Sequence, residues 1–161
     1  MEPAAERPRR QEQEEATEEI TEVAPGVLRT QLPINLPGLG HVNCYLMEDE
    51  RGLAVVDPGL PGEESWNALN DRLASAGYNV GDIHTAVVTH SHFDHFGGCT
   101  RIQEETGADI LTHDSFRARW HTQEVDEHED SAALAEATED EQNAEIDRMF
   151  SERLPWGTAR T

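Results

Sequence analysis

This chain predicts a mixed α/β (α+β) fold, a sheet with flanking helices, and three features of the sequence carry that prediction. Short runs of β-branched and aliphatic residues recur between Pro and Gly punctuation, as strands do. One run, Leu53-Ala54-Val55-Val56, is apolar on both faces and reads as a buried strand. The stretch after it, 62 to 76, places Trp66, Leu69, Leu73 and Ala76 at three- and four-residue steps, the stripe of a helix lying on a sheet. A chain of 161 residues can bury one ordinary core.

In chain order, residues 1 to 22 hold eight Glu and three Arg, with little that is apolar beyond Ile20. That is the composition of a disordered acidic leader. Residues 27 to 32 and 42 to 47 read as strands. Between them Pro33, Pro37, Gly38 and Gly40 predict a loop over 34 to 41, apolar enough to lie over a site. Residues 48 to 52 read as a hairpin turn into 53 to 56, which ends at Asp57-Pro58-Gly59. Gly77 caps the helix that follows, and His84 opens a strand over 85 to 89. A helix over 99 to 106 is stopped by Gly107, 108 to 112 is a short strand, and Asp114 or Ser115 caps a helix reaching Trp120. Residues 124 to 152 carry twelve acids and one Arg. Ile146, Met149, Phe150 and Leu154 keep a helical spacing there, so the segment reads as an acidic amphipathic helix. The expected organisation is a leader (1–22), an αβ unit (23–123) and an acidic helical segment (124–161) whose end is cut short.

The formal charge is −21, with 33 acidic residues against 12 basic ones, all of them Arg. This bias fits a salt-adapted or high-GC source and argues against nucleic acid or an anionic membrane as partner. Cys44 and Cys99 are too few and too far apart for a disulfide framework and read as small buried thiols. No apolar run approaches the ~20 residues of a membrane span, and the acidic N-terminus is no secretory signal. The expectation is a cytoplasmic protein.

The chemistry is concentrated in Val87-Val88-Thr89-His90-Ser91-His92-Phe93-Asp94-His95-Phe96-Gly97-Gly98. In an extended segment residues two apart project to one side, so His90 and His92 address one ion. A turn permitted by Gly97-Gly98 lets Asp94 and His95 address a second. Imidazole and carboxylate together suit zinc, iron or manganese. Without a cation or hydrogen bonds such a cluster is costly. Its place after a strand is where α/β sheets hold ligands.

His90-Ser91-His92-Phe93-Asp94-His95 matches the His-x-His-x-Asp-His signature of the metallo-beta-lactamase superfamily, with Gly97-Gly98 where that superfamily has Gly-Gly. Val55-Val56-Asp57-Pro58-Gly59 resembles its strand-end Asp-x-Gly element, and Asn43-Cys44-Tyr45-Leu46 the Asn-x-Tyr strand of glyoxalase II-like members. The resemblance spans roughly residues 23 to 120. It implies the N-terminal portion of a four-layer αββα fold holding two zinc ions, with His90, His92, Asp94 and His95 as ligands. Asp94 would also orient the attacking water, and Asp57 would fix the ligand loop by hydrogen bonds. The implied reaction is hydrolysis of an ester or thioester; the sequence indicates no substrate-binding residues. The family pattern also needs a later histidine, a bridging acid and a final histidine, whereas only His113, His121 and His128 follow His95. A non-catalytic metal-binding module, a half-domain that self-associates through an exposed sheet face and an iron-dependent oxygenase are the alternatives. Of the remaining histidines, His41 reads as a loop residue, His113 as a surface or capping residue, and His128 sits in an acidic run.

Overall fold

The run of strand formers and turn residues builds one six-stranded mixed sheet in a computed structural model that describes residues 10–116. Strands β1 (Thr21–Ala24), β2 (Val27–Leu36), β3 (Leu39–Asp49) and β4 (Gly52–Val56) form an antiparallel meander. Helix α1 (Glu63–Ser75) then carries the chain back so that β5 (Ile83–Val87) pairs with β4 in parallel. Two short helices, α2 (Phe93–Phe96) and α3 (Cys99–Thr106), return it to β6 (Asp109–Leu111), parallel to β5. The strands lie in sequence order, β1 to β6.

Alternation along the strands sorts the side chains. Leu32, Cys44, Leu46, Leu53, Val55 and Ala86 are fully buried and share one cluster with Leu69 and Leu73 of α1 and Ile102 of α3. The helical stripe behaves as its spacing predicts: Leu69 and Leu73 are buried, with Trp66 and Ala76 packed at the margin. Gly77 and Gly107 follow α1 and α3 with φ of 88° and 73°, a left-handed conformation that stops a helix at little cost to Gly. Both cysteines are free and buried, as expected of small thiols, and burial pushes both thiol pKa values far up.

Four expectations change. The loop over 34 to 41 is the end of a long hairpin, with β2 running to Leu36 and β3 starting at Leu39, and with Ile34, Leu36 and His41 buried. Pro33 is tolerated within β2 because β1 pairs with β2 only as far as Arg29, leaving the outer edge beyond it without a ladder partner. The leader is not a solvated tail throughout. From Arg10 the described residues lie on the body: Thr17 N and Oγ1 donate to Gln31 Oε1, Arg72 donates to the Thr17 carbonyl, and His41 Nδ1 donates to the Glu14 carbonyl at 2.8 Å. Composition misses this because the arm is held through backbone groups, not apolar side chains. His41 is therefore a strand residue, not a loop residue. The strand before the histidines ends at Val87, two residues earlier than expected, and α2 is an addition to the expected elements. The helix reaching Trp120 and the acidic helix with His121 and His128 lie outside the described residues. No helix among the described residues is long and apolar enough to cross a membrane.

Candidate metal centre

β4 and β5 finish side by side, and their ends build the site. Beyond Val56 the chain turns sharply at Asp57, the one non-glycine residue with positive φ (54°) among the described residues. An aspartate tolerates this region better than most side chains. The Asp57 N–H donates to the Val87 carbonyl at 2.9 Å, which anchors the turn to β5. Pro58 and Gly59 then pass directly under Gly97 and Gly98. A Cβ on Gly98 would collide with the Pro58 carbonyl oxygen, and one on Gly97 would lie 2.5 Å from Pro61 Cδ. Both glycines have ordinary right-handed φ, −58° and −75°. The pair is there for close approach, not for a glycine-only turn, and this contact brings Asp57 beneath the histidines.

Asp57 is 5% exposed and accepts three hydrogen bonds. Its Oδ1 takes the Thr89 N–H at 2.9 Å, and Oδ2 takes both the Thr89 hydroxyl at 2.6 Å and His95 Nδ1 at 2.9 Å. Burial pushes its pKa up, but the hydrogen bonds from His95 and Thr89 outweigh it, so the carboxyl lies below its usual value and is ionised. An ionised acceptor requires a proton on His95 Nδ1. Thr89 extends the logic. Its single hydroxyl proton goes to Asp57, so in its 2.9 Å contact with His90 Nδ1 it must be the acceptor. Both imidazoles are thus set with Nδ1–H directed at the Asp57–Thr89 pair and Nε2 on the other side of the ring. Metal-ligating histidines are oriented in this way.

The rings converge. His90 and His95 centroids are 3.9 Å apart, His90 and His92 4.7 Å, and His92 and His95 6.5 Å. His95 Nε2 is 3.4 Å from Asp94 Oδ2. The alternation expected from His90 through Asp94 stops at His92, which precedes the first turn of α2; winding places Asp94 and His95 consecutively on that turn. The closest ring pair is therefore His90 with His95, not His90 with His92. Loss of hydration, followed by the charges possible on His95 and His92, holds His90 below the ordinary imidazole pKa and favours its ligand form. Asp57, His90 and His95 have ligand atoms all within 4.8 Å of one another. His113 is not among these three residues; it sits in a local turn, its Nδ1 2.6 Å from Ser115 Oγ.

Thr89 is the residue that sequence reasoning passes over. It reads only as the last residue of a strand, although a hydroxyl immediately before the first histidine is a usable signal.

A family model of the metallo-beta-lactamase superfamily matches residues 37–159. The chain belongs to that superfamily. Among curated proteins it is 38% identical over 78 residues to a hydroxyacylglutathione hydrolase of Pseudomonas putida, a match covering 47% of this chain and 27% of the relative. It is 33% identical over 73 residues to a UPF0173 metal-dependent hydrolase of Rubrobacter xylanophilus, covering 45% and 27%. The matches thus span just over a quarter of the relatives' length. A solved metallo-beta-lactamase family protein from Thermus thermophilus superposes with a TM-score of 0.53 at 30% identity, covering 58% of this chain and 30% of that one. The mixed sheet with its helices is this superfamily's fold.

Proposed function

We propose that the chain carries the metal-binding half of a metal-dependent hydrolase acting on ester or thioester small molecules. The observation that supports this best is the Asp57–Thr89 pair, which takes the Nδ1 side of both His90 and His95 and leaves their Nε2 atoms turned away from it. His90, His92, Asp94 and His95 would hold the metal, with Asp57 acting through His95 and Thr89. Asp57 stands close enough to count as a ligand, but its oxygens already accept three hydrogen bonds, so a buttressing role suits it better. A bound zinc-like ion would supply acidified water and polarise a carbonyl. The chain's own part is to keep the imidazoles of His90 and His95 aligned and to set Asp94 beside them, where its carboxylate can orient an attacking water. A thioester preference draws support from the likeness to the hydroxyacylglutathione hydrolase.

A zinc titration of the full chain against a competing chelator tests the reading. Wild type should bind, and His90→Ala and His95→Ala should each lower affinity at least about tenfold; parallel titrations with iron(II) and manganese rank the ions. Hydrolysis of a hydroxyacyl-glutathione thioester, abolished by His92→Ala, is the expected activity. Zinc binding unchanged in a His90/His92/His95 triple alanine variant would sink the proposal.

One observation favours a second reading, self-association. Tyr45, Val56, Val87 and Leu111 are register neighbours across β3, β4, β5 and β6 on the sheet face away from α1 and α3. Leu111 is 58% exposed, and Met47, on the same face, 43%. A mass determination in solution that finds only monomer, with and without zinc, removes that reading.

A further inference from the structure

Arg72 is a charged residue in an apolar place. It sits on α1 beside Leu69 and Leu73 and is only 7% exposed. One nitrogen reaches the Thr17 carbonyl at 3.3 Å, longer than the usual ~2.9 Å. Its Nε is buried without a hydrogen-bond partner, and no carboxylate pairs with it among the described residues. A guanidinium cannot shed its proton in a protein, so it cannot escape the penalty for a buried charge by neutralising itself.

A second orphan faces the same interface. Thr30 in β2 is 1% exposed, and its Oγ1 is also buried without a partner. Two observations place it near Arg72. Ser65 of α1 and Leu32 of β2 both border Gly59. β2 is parallel to β4, and α1 runs back against both, so seven residues along α1, at ~1.5 Å each, lead from Leu32 towards Thr30 and Leu28. Independently, Thr17 bonds both Arg72 and Gln31, the residue next to Thr30.

We propose that Arg72 and Thr30 form a buried anion site beneath the N-terminal arm, which takes a carboxylate. Both orphans are donors, an Nε–H and a hydroxyl, so the group that satisfies them must accept. The Nε edge of a guanidinium matches a carboxylate in shape as well as charge. The carboxylate has two sources, a free small acid or, by turning inward from its exposed position, one of Glu14, Glu15, Glu18 and Glu19, which flank Thr17 on the arm. In either case the site fastens the arm to the sheet, independently of the metal centre.

The experiment is thermal unfolding of the full chain in acetate against a bulky sulfonate at matched ionic strength. If a free acid fills the site, acetate raises the wild-type Tm saturably by on the order of 5–10 °C. Arg72→Gln then abolishes the response and Thr30→Val weakens it. If an arm glutamate fills it, wild type ignores acetate. The variant with Glu14, Glu15, Glu18 and Glu19 all changed to Gln then melts lower, and acetate restores it. Arg72→Lys, which keeps the charge and loses the Nε–H, covers the case in which Arg72→Gln does not fold; it should lose most of whichever response is found. Absence of any acetate effect in both wild type and the glutamine variant, or an equal effect in the Arg72 variants, overturns the proposal.

Discussion

His84 and His95 each lie beside an aspartate, one at the end of the sheet where β3 turns into β4, the other where β4 and β5 finish. The distances hardly differ: 3.1 Å from His84 Nε2 to Asp49 Oδ1 and 2.9 Å from His95 Nδ1 to Asp57 Oδ2. The surroundings do. His84 is used up at both nitrogens, since Nδ1 lies 2.8 Å from Thr85 Oγ1. Asp49 is exposed and already bound to Arg51, whose backbone N–H and then side chain hold its pKa below the usual value. At the other end Asp57 is buried, takes its hydrogen bonds from Thr89 and His95, and engages Nδ1 of that histidine, whose Nε2 faces Asp94 Oδ2 at 3.4 Å. A histidine next to an aspartate is therefore no site by itself. What matters is which nitrogen the protein occupies and where the other one points.

The comparison can be broken most severely at Asp57. Asp57→Asn should lower zinc affinity by about 10–100-fold, the usual cost of losing a partner that orients a metal ligand. Asp49→Asn should leave zinc affinity unchanged, and competitive titration of both variants checks the pair. Gly98→Ala comes next. Its Cβ meets the Pro58 carbonyl, so a loss of about 1–3 kcal/mol is expected, whereas Gly62→Ala, with nothing within 4 Å of the added Cβ, should unfold much like wild type in denaturant.

Thr89→Val sharpens the comparison without removing Asp57. It keeps the shape and loses the hydroxyl, so about tenfold of zinc affinity should go. Nitrogen chemical shifts of His90 should show the tautomer preference weakening, with Thr89→Ser retaining it. The smallest effect is on acid stability at Asp49. A carboxyl whose folded pKa lies below its unfolded value contributes stability that is present above about pH 4 and is lost as pH falls through the folded value. Asp49→Asn should therefore slightly lower stability at neutral pH and converge with wild type in acid, which flattens the acid limb of the unfolding curve.

How much of this is legible in the sequence depends on the range of the interaction. The stripe of α1, the glycine stop of α3 and the free buried thiols all rest on neighbours within a few positions, and each appears as its spacing predicts. The hairpin of β2 and β3 escapes a reading that weighs Pro and Gly locally. Leu36 and Leu39 pair across the two-residue turn at Pro37 and Gly38, and that register suits a strand whose outer edge is open. The arm escapes it for the same reason, its anchors being Gln31, His41 and Arg72.

By itself the sequence determined the candidate donor set, three imidazoles and a carboxylate within six positions after a strand, and with it the class of chemistry proposed. It also determined the alternation that hides one face of the sheet. Only the tertiary structure decided how those donors are held. Asp57 reaches Thr89 and His95 across 32 and 38 residues, and the Gly97–Gly98 contact with Pro58 and Pro61 sets that meeting. A hydrogen bond that fixes a tautomer is made between atoms the fold brings together, and no local period in the chain records it.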